Sequence, residues 1–204
     1  MAPRKKSRPD STPASREIAE PIRILSGDLR NRVIPFSGDL RTRPMKHRVR
    51  KAVFDLIQDD IEGRLAIDLF AGTGALGLEA ISRGANSAIL IERHFPSADA
   101  IRRIAAEWEV DDLIEVFAAD AFHWLTHDSP QATEPWLLFC SPPYDFFVER
   151  ADDMLSLWQC FRSRAPEGSV AVVESDERFD FALFGEADRW DLREYPPAKV
   201  GVFR

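Results

Sequence analysis

Asp68-Leu69-Phe70-Ala71-Gly72-Thr73-Gly74-Ala75-Leu76-Gly77 closes one apolar run, Leu65 to Phe70, and opens a helical stretch near Ala75 to Arg83. Glycines at this spacing let the chain turn tightly from strand to helix and bring the backbone close to a ligand. The segment holds the pattern G-x-G-x-x-G, and Glu92 follows twenty residues after Gly72, at the end of the next apolar run. A carboxylate there can accept hydrogen bonds from ribose hydroxyls, so Ala71, Gly72, Gly74 and Glu92 are expected to hold a nucleoside. Asp68 decides which one. Its position at the strand's carboxyl end puts a carboxylate directly under the loop, where a bound pyrophosphate would meet a like charge in a partly buried site, at a cost of several kcal/mol. S-adenosylmethionine reverses the sign, because it has no phosphate and carries a sulfonium and an ammonium. The competing reading makes the glycines a plain turn, with Asp68 capping the helix.

Outward from this loop, short apolar runs alternate with helical stretches. The runs are Ala88 to Ile91, Ile114 to Phe117, Trp136 to Cys140 and Val170 to Val173; the helices lie near Pro96 to Glu109, Ala121 to Leu125 and Phe147 to Arg164. Strands joined by helical crossovers predict an α/β fold with a Rossmann-like, mostly parallel sheet covered on both faces. Trp190 to Tyr195 and Lys199 to Phe203 are separated only by Pro196-Pro197-Ala198, too short for a crossover, so an antiparallel hairpin is expected at the C-terminal end. Asp120, after the third core strand, is placed to receive an adenine amino group, and equally to cap the next helix.

Ahead of the alternating region the chain changes character. Residues 1–50 carry 13 Lys and Arg against 5 Asp and Glu, a balance of +8, while the rest carry 14 against 29, so a net charge of −7 hides a basic arm on an acidic body. Such an arm can hold a phosphate backbone that the body would repel. Residues 1–20 are rich in Pro, Ser and charge and are expected to be disordered. Residues 21–60 read as a small basic extension: a β-hairpin in Ile22 to Phe36, turning at Ser26-Gly27-Asp28, then a helix from about Met45 to Gln58. Arg41, Arg43, Lys46, Arg48 and Arg50 are its candidate nucleic-acid contacts. Residues 61–204 are expected to form the catalytic domain. A chain of 204 residues with 45% apolar content has room for one sizeable core. With no run of about 18 apolar residues and no signal-peptide pattern, a cytoplasmic protein with no membrane partner is expected. Two cysteines make no disulfide framework or zinc spacing, and the four histidines show no third ligand. Oligomeric state is not legible, and a monomer is the default.

After the fourth core strand comes Cys140-Ser141-Pro142-Pro143-Tyr144. Two prolines fix the backbone and remove its donors, which leaves the carbonyls of Ser141 and Pro142 to face solvent or a ligand. An exocyclic base nitrogen is a poor nucleophile because its lone pair is delocalised into the ring. Accepting hydrogen bonds from that amino group restores tetrahedral character and aligns it with the methyl. Ser141, Pro142, Pro143 and Tyr144 are the catalytic candidates, with Tyr144 available to stack on a base removed from its helix. Cys140 invites a covalent cytosine mechanism, but it closes an apolar strand and reads as core.

Arg23-Ile24-Leu25-Ser26-Gly27, Arg41-Thr42-Arg43-Pro44, His47-Arg48-Val49-Arg50-Lys51-Ala52-Val53-Phe54, Asp68 to Ala80 and Ser82-Arg83-Gly84-Ala85 together resemble the RsmD-type 16S ribosomal RNA guanine-N2 methyltransferases. The similarity runs over roughly residues 22 to 204. It implies the class I methyltransferase fold, S-adenosylmethionine as donor, a guanine of ribosomal RNA or of a small-subunit assembly intermediate as acceptor, and a basic segment that grips RNA. The chain departs from the family's pattern in two places. Ser141 stands where the family has an acidic residue before Pro-Pro, which makes the loop similar also to those of cytosine-N4 DNA methyltransferases. Met45 and His47 stand where the family has Thr and Asp. These departures keep open a paralogue that binds RNA and donor without turnover; a nicotinamide-dependent oxidoreductase is the alternative that the glycine pattern by itself allows.

Overall fold

A computed structural model describes residues 21–35, 44–131 and 133–204. The expectation for residues 1–20 lies outside them, as do Arg41 and Arg43.

Among the described residues seven strands form the main sheet: β3 (Leu65–Asp68), β4 (Ser87–Ile91), β5 (Ile114–Phe117), β6 (Trp136–Cys140), β7 (Val170–Asp176), β8 (Trp190–Tyr195) and β9 (Ala198–Phe203). Their order is β5-β4-β3-β6-β7-β9-β8. The first five run parallel, and β9 pairs antiparallel with both β7 and β8. The C-terminal hairpin turns at Pro196-Pro197, as its short connection requires. Every residue of β3 and β6 is buried, which is why these strands read as unbroken apolar runs rather than as alternating ones. Alternation still decides which helices each side chain meets. Ala66, Leu137, Phe139, Val170 and Val172 pack toward one layer; Leu65, Ile67, Leu138, Cys140, Ala171 and Val173 pack toward the other.

Helices α2 (Ala75–Ser82) and α3 (Phe95–Glu107) cover the first face, together with α1 (His47–Leu56) and the paired strands β1 (Ile22–Arg23) and β2 (Val33–Ile34). Helices α4 (Ala121–His127), α5 (Phe146–Glu149) and α6 (Ala151–Arg164) serve the second. The helical stretch expected from Phe147 to Arg164 is broken at Arg150, whose φ of −128° and ψ of 36° leave the helical region. Its guanidinium sits over the rings of Phe122 and Phe146, 3.9 Å and 5.2 Å from their centroids.

The expected pairing of residues 22–36 is present, with Ile22 opposite Ile34 and Arg23 opposite Val33. Its turn is longer than a tight hairpin, because the connecting loop is seated on α2. Glu79 accepts the Leu25 and Ser26 amides at 2.7 Å and 3.1 Å, and Asp28 N–H donates to the Ser82 carbonyl at 2.9 Å. Gly27 has a φ of +80°, and a β-carbon there would lie 1.5 Å from the Ser82 oxygen, so glycine alone fits. The N-terminal segment and the sheet thus share one hydrophobic core.

Candidate active site

The chain leaves β3 toward β4 and β5 on one side and returns to β6 on the other, so the crevice at the carboxyl ends of β3 and β6 is the topological switch point of the sheet. Asp68 and Phe139 are register partners, and the glycine loop and the Pro-Pro loop leave neighbouring strands at the same end.

Asp68 is 1% exposed. Among the described residues neither of its oxygens accepts a hydrogen bond of ordinary geometry. Burial pushes its carboxyl up to about 7; the nearby amides of Gly77 and Phe70 oppose that rise in part, and the charge of Glu92 adds to it. The N-cap of α2 is Gly74, at φ +78°, which has no side chain to cap the helix; the Gly77 amide near Asp68 belongs to the first turn of α2, so the carboxyl lies at that helix N-terminus without an ordinary hydrogen bond to it. A β-carbon on Gly74 would also press on Ile101 and Leu90 at 3.1–3.3 Å. Ala71 is buried, its N–H bonded to the Ile91 carbonyl at 3.0 Å. Glu92, at the end of β4, accepts the Gly72 N–H at 2.8 Å through one oxygen and the His94 N–H at 2.7 Å through the other. Each carboxylate oxygen has a second lone pair with which to accept a hydroxyl.

Asp120 caps α4, accepting the Phe122 and His123 amides at 3.0 Å and 3.1 Å. Beside it, the rings of Phe70, Phe122 and Phe146 meet at centroid distances of 5.8–6.2 Å. Trp124 is buried against Phe117 and is a core residue.

In the Pro-Pro loop, Pro142 is buried and Pro143 exposed. Phe146 N–H donates to the Pro143 carbonyl and Phe147 N–H to that of Tyr144, whereas no main-chain N–H of the described residues reaches the carbonyls of Ser141 and Pro142. The half-buried Ser141 hydroxyl donates to Oε2 of Glu174, and the Tyr144 hydroxyl donates to Oε1 of the same carboxylate at 2.8 Å. Glu174, buried at 6% exposure, follows Val173, the register partner of Cys140, so parallel pairing sets it beside Ser141. Sequence reading missed it. The signal was a carboxylate ending the apolar run Val170 to Val173, but the run does not say which strand lies next to it. Cys140 is buried, and burial together with the charge of Asp68 drives its thiol far above the ordinary range, which suits core and not a nucleophile.

Of the basic candidates, Lys46 and Arg48 are exposed at the start of α1. Arg50, expected among the phosphate contacts, instead faces the core. It is 2% exposed, donates to the Arg23 carbonyl at 2.6 Å, and is turned inward by the helical period that sends Val49, Val53 and Phe54 to the core. Its guanidinium is not available to phosphate.

Residues 22–194 match the family described as Conserved hypothetical protein 95, the RsmD-type family. The chain belongs to that family. Among its relatives, the Bacillus subtilis protein YlbH, provisionally described as an rRNA methyltransferase, is 30% identical over 78% of this chain and 85% of its own. The ribosomal RNA small subunit methyltransferase D of Buchnera aphidicola is 31% identical over 60% of this chain and 63% of its own. Its Escherichia coli namesake is 45% identical over 35% of this chain and 36% of its own. Solved structures share the fold. The Escherichia coli protein yhhF, provisionally described as a methyltransferase, superposes with a TM-score of 0.71 at 24% identity over 90% of this chain and 97% of its own. An RNA methyltransferase of Salinibacter ruber in complex with S-adenosyl-L-homocysteine superposes with a TM-score of 0.57 at 17% identity over 79% and 92%. The architecture is that of the class I methyltransferases.

Proposed function

We propose that this RsmD-family member transfers a methyl group from S-adenosylmethionine to an exocyclic amino nitrogen in ribosomal RNA, specifically N2 of a guanine in the small-subunit RNA, free or in an assembly intermediate. One observation carries the reading: a buried carboxyl lacking ordinary hydrogen bonds, Asp68, lies under a glycine loop at the same end of adjacent strands as a rigid loop bearing two hydroxyls.

The residues present fit the donor. Asp68 offers a carboxylate to its cationic end, Gly72 and Gly74 keep the turn narrow, Glu92 has lone pairs for ribose, and Asp120 with Phe122 borders the space for a purine. Bound there, S-adenosylmethionine supplies an electrophilic methyl on a cationic sulfur. The chain's own part is to hold and orient. A main-chain carbonyl of the Ser141-Pro142 pair and the Ser141 hydroxyl oxygen accept the two N–H bonds of the incoming amino group, and Tyr144 flanks it. Lys46 and Arg48, with Arg41 and Arg43, serve the phosphates. A dinucleotide is disfavoured, because its pyrophosphate would meet Asp68.

The test is transfer itself. Unmodified small-subunit RNA incubated with the protein and labelled donor, then digested to nucleosides for mass spectrometry, is expected to gain one methyl, as N2-methylguanosine. A methyl on cytosine N4 would correct the base. No transfer despite binding of both partners would mean a non-catalytic RNA binder.

A further inference from the structure

Ser141, the residue before Pro-Pro, carries a hydroxyl and no carboxylate, yet the site does not lack one. From the geometry we infer that Glu174 of β7 acts as the site's base through the Ser141 hydroxyl, a positioning residue that also drains the proton released by amino-group methylation. The inference rests on the methyltransferase reading above.

Three observations support it. First, Glu174 is buried, and each of its oxygens accepts one hydroxyl, from Ser141 and from Tyr144. A serine hydroxyl has one proton and two lone pairs, so with its proton committed to Glu174 it can meet an amino group only as an acceptor. The contact therefore removes the wrong polarity: Ser141 cannot donate to the nitrogen and withdraw the lone pair it needs. A hydroxyl bonded to a carboxylate is also a better acceptor, since chains of hydrogen bonds polarise one another. Second, the bond spans adjacent parallel strands. Cys140 pairs with Val173, so residues 141 and 174 emerge side by side from paired strands rather than meeting across a mobile loop. Third, strand alternation puts Glu174 on the face of Val172 and Asp68 on the face of Ala66, and both faces pack toward the same layer, so the two carboxyls stand on one side of the sheet at its carboxyl edge.

The proton balance then closes within the protein. As the nitrogen lone pair forms the new N–C bond, the C–S bond breaks with its electrons going to sulfur, and the nitrogen must give up one proton. That proton passes to Ser141 Oγ while the hydroxyl's own proton moves to Glu174, so the serine ends as it began and the carboxylate ends protonated, to be discharged to solvent before the next turnover. Glu174 thus takes the proton without touching the nitrogen, through a one-hydroxyl relay.

Full-length protein assayed under single turnover, with S-adenosylmethionine and unmodified small-subunit RNA, tests this. Glu174→Gln should slow transfer by roughly 100-fold, the scale of a lost general base, while donor and RNA affinities hold within about twofold and the melting temperature stays above the assay range. Ser141→Asp placed on Glu174→Gln should recover most of the rate by presenting a carboxylate directly, a rescue that a purely structural role for Glu174 would not give. Ser141→Ala combined with Glu174→Gln should be no slower than either alone, because both cut one relay. An undiminished rate in Glu174→Gln, or additive losses in that pair, would overturn the role of Glu174 alone. Should Glu174→Gln fail to fold, Ser141→Ala carries the test, and an unchanged rate there would likewise overturn the relay. Wild-type protein that binds both partners and transfers nothing would overturn the proposed function, and this inference with it.

Discussion

Asp68 is stabilised by little of what surrounds it in the free protein, which gives it a measurable signature. Its carboxyl is raised to about 7 from an ordinary value of 3.8, chiefly by burial. Between those values the folded state holds a proton that the unfolded state has lost, so stability is greatest below about pH 4, declines as pH rises to about 7, and is flat above. The difference of about three pH units corresponds to roughly 4 kcal/mol at most. Asp68→Asn should therefore match the wild type in urea unfolding at pH 4 and exceed it at pH 8, by up to that amount. An Asn variant less stable at pH 8 would mean that the carboxylate is stabilised in place. Asp68 was legible in the sequence because its position follows from a local pattern, a strand end followed by glycines. Glu174 and the inward turn of Arg50 were not. The first depends on which strand neighbours which, and the second on a helix face that carries arginine where its period calls for an apolar residue.

Helix α2 joins the two halves of the site, since it opens from the glycine loop and ends in the anchor for the N-terminal segment. Glu79 is fully buried and accepts from Leu25, Ser26 and, at 2.7 Å, Arg83 Nε, whose guanidinium also lies over the Phe54 ring at 4.8 Å. Breaking a buried charge pair by deleting one partner leaves the other uncompensated. Glu79→Ala should thus cost about 3–5 kcal/mol in chemical denaturation; a loss under about 1 kcal/mol, the worth of a surface pair, would show that the segment is held by its apolar contacts alone. The elements themselves were largely readable from periodicity. The strands fell where the apolar runs put them, although β3 ends at Asp68 and not Phe70, and β7 continues past Val173 to Asp176. The seating of Ser26-Gly27-Asp28 on α2 was not readable, because polar contacts made across more than 50 residues of sequence leave no periodic trace.

For the whole molecule, parallel pairing sets the carboxyl ends of β3, β4, β5 and β6 along one edge of the sheet, while the sequence sets a basic arm against an acidic body. The α/β architecture and its C-terminal hairpin were foreseen from alternating runs and a short proline turn. The shared core of residues 22–34 and 49–57 with the sheet was not, since burial partners are a property of the packed chain. No helix among the described residues is long and apolar enough to cross a membrane. If the exposed face of α1 meets phosphate, replacing Lys46 and Arg48 together by Ala should reduce the slope of log affinity against log salt for RNA by about 1.5, on the usual weight of 0.7–0.9 per contact. Arg50→Ala should leave that slope alone and lower stability instead; the reverse pattern would put the RNA elsewhere.

The most direct measurement is calorimetric titration of the wild type with S-adenosylmethionine and with NAD at pH 6 and pH 8. A cationic ligand that needs Asp68 ionised should bind about tenfold more weakly at pH 6 than at pH 8, releasing close to one proton at pH 6, since a group titrating near 7 is about one-tenth ionised there. NAD should not bind at either pH, and Asp68→Asn should erase the pH dependence while weakening the donor. NAD binding, or equal affinity for S-adenosylmethionine at the two pH values in the wild type, would contradict the account.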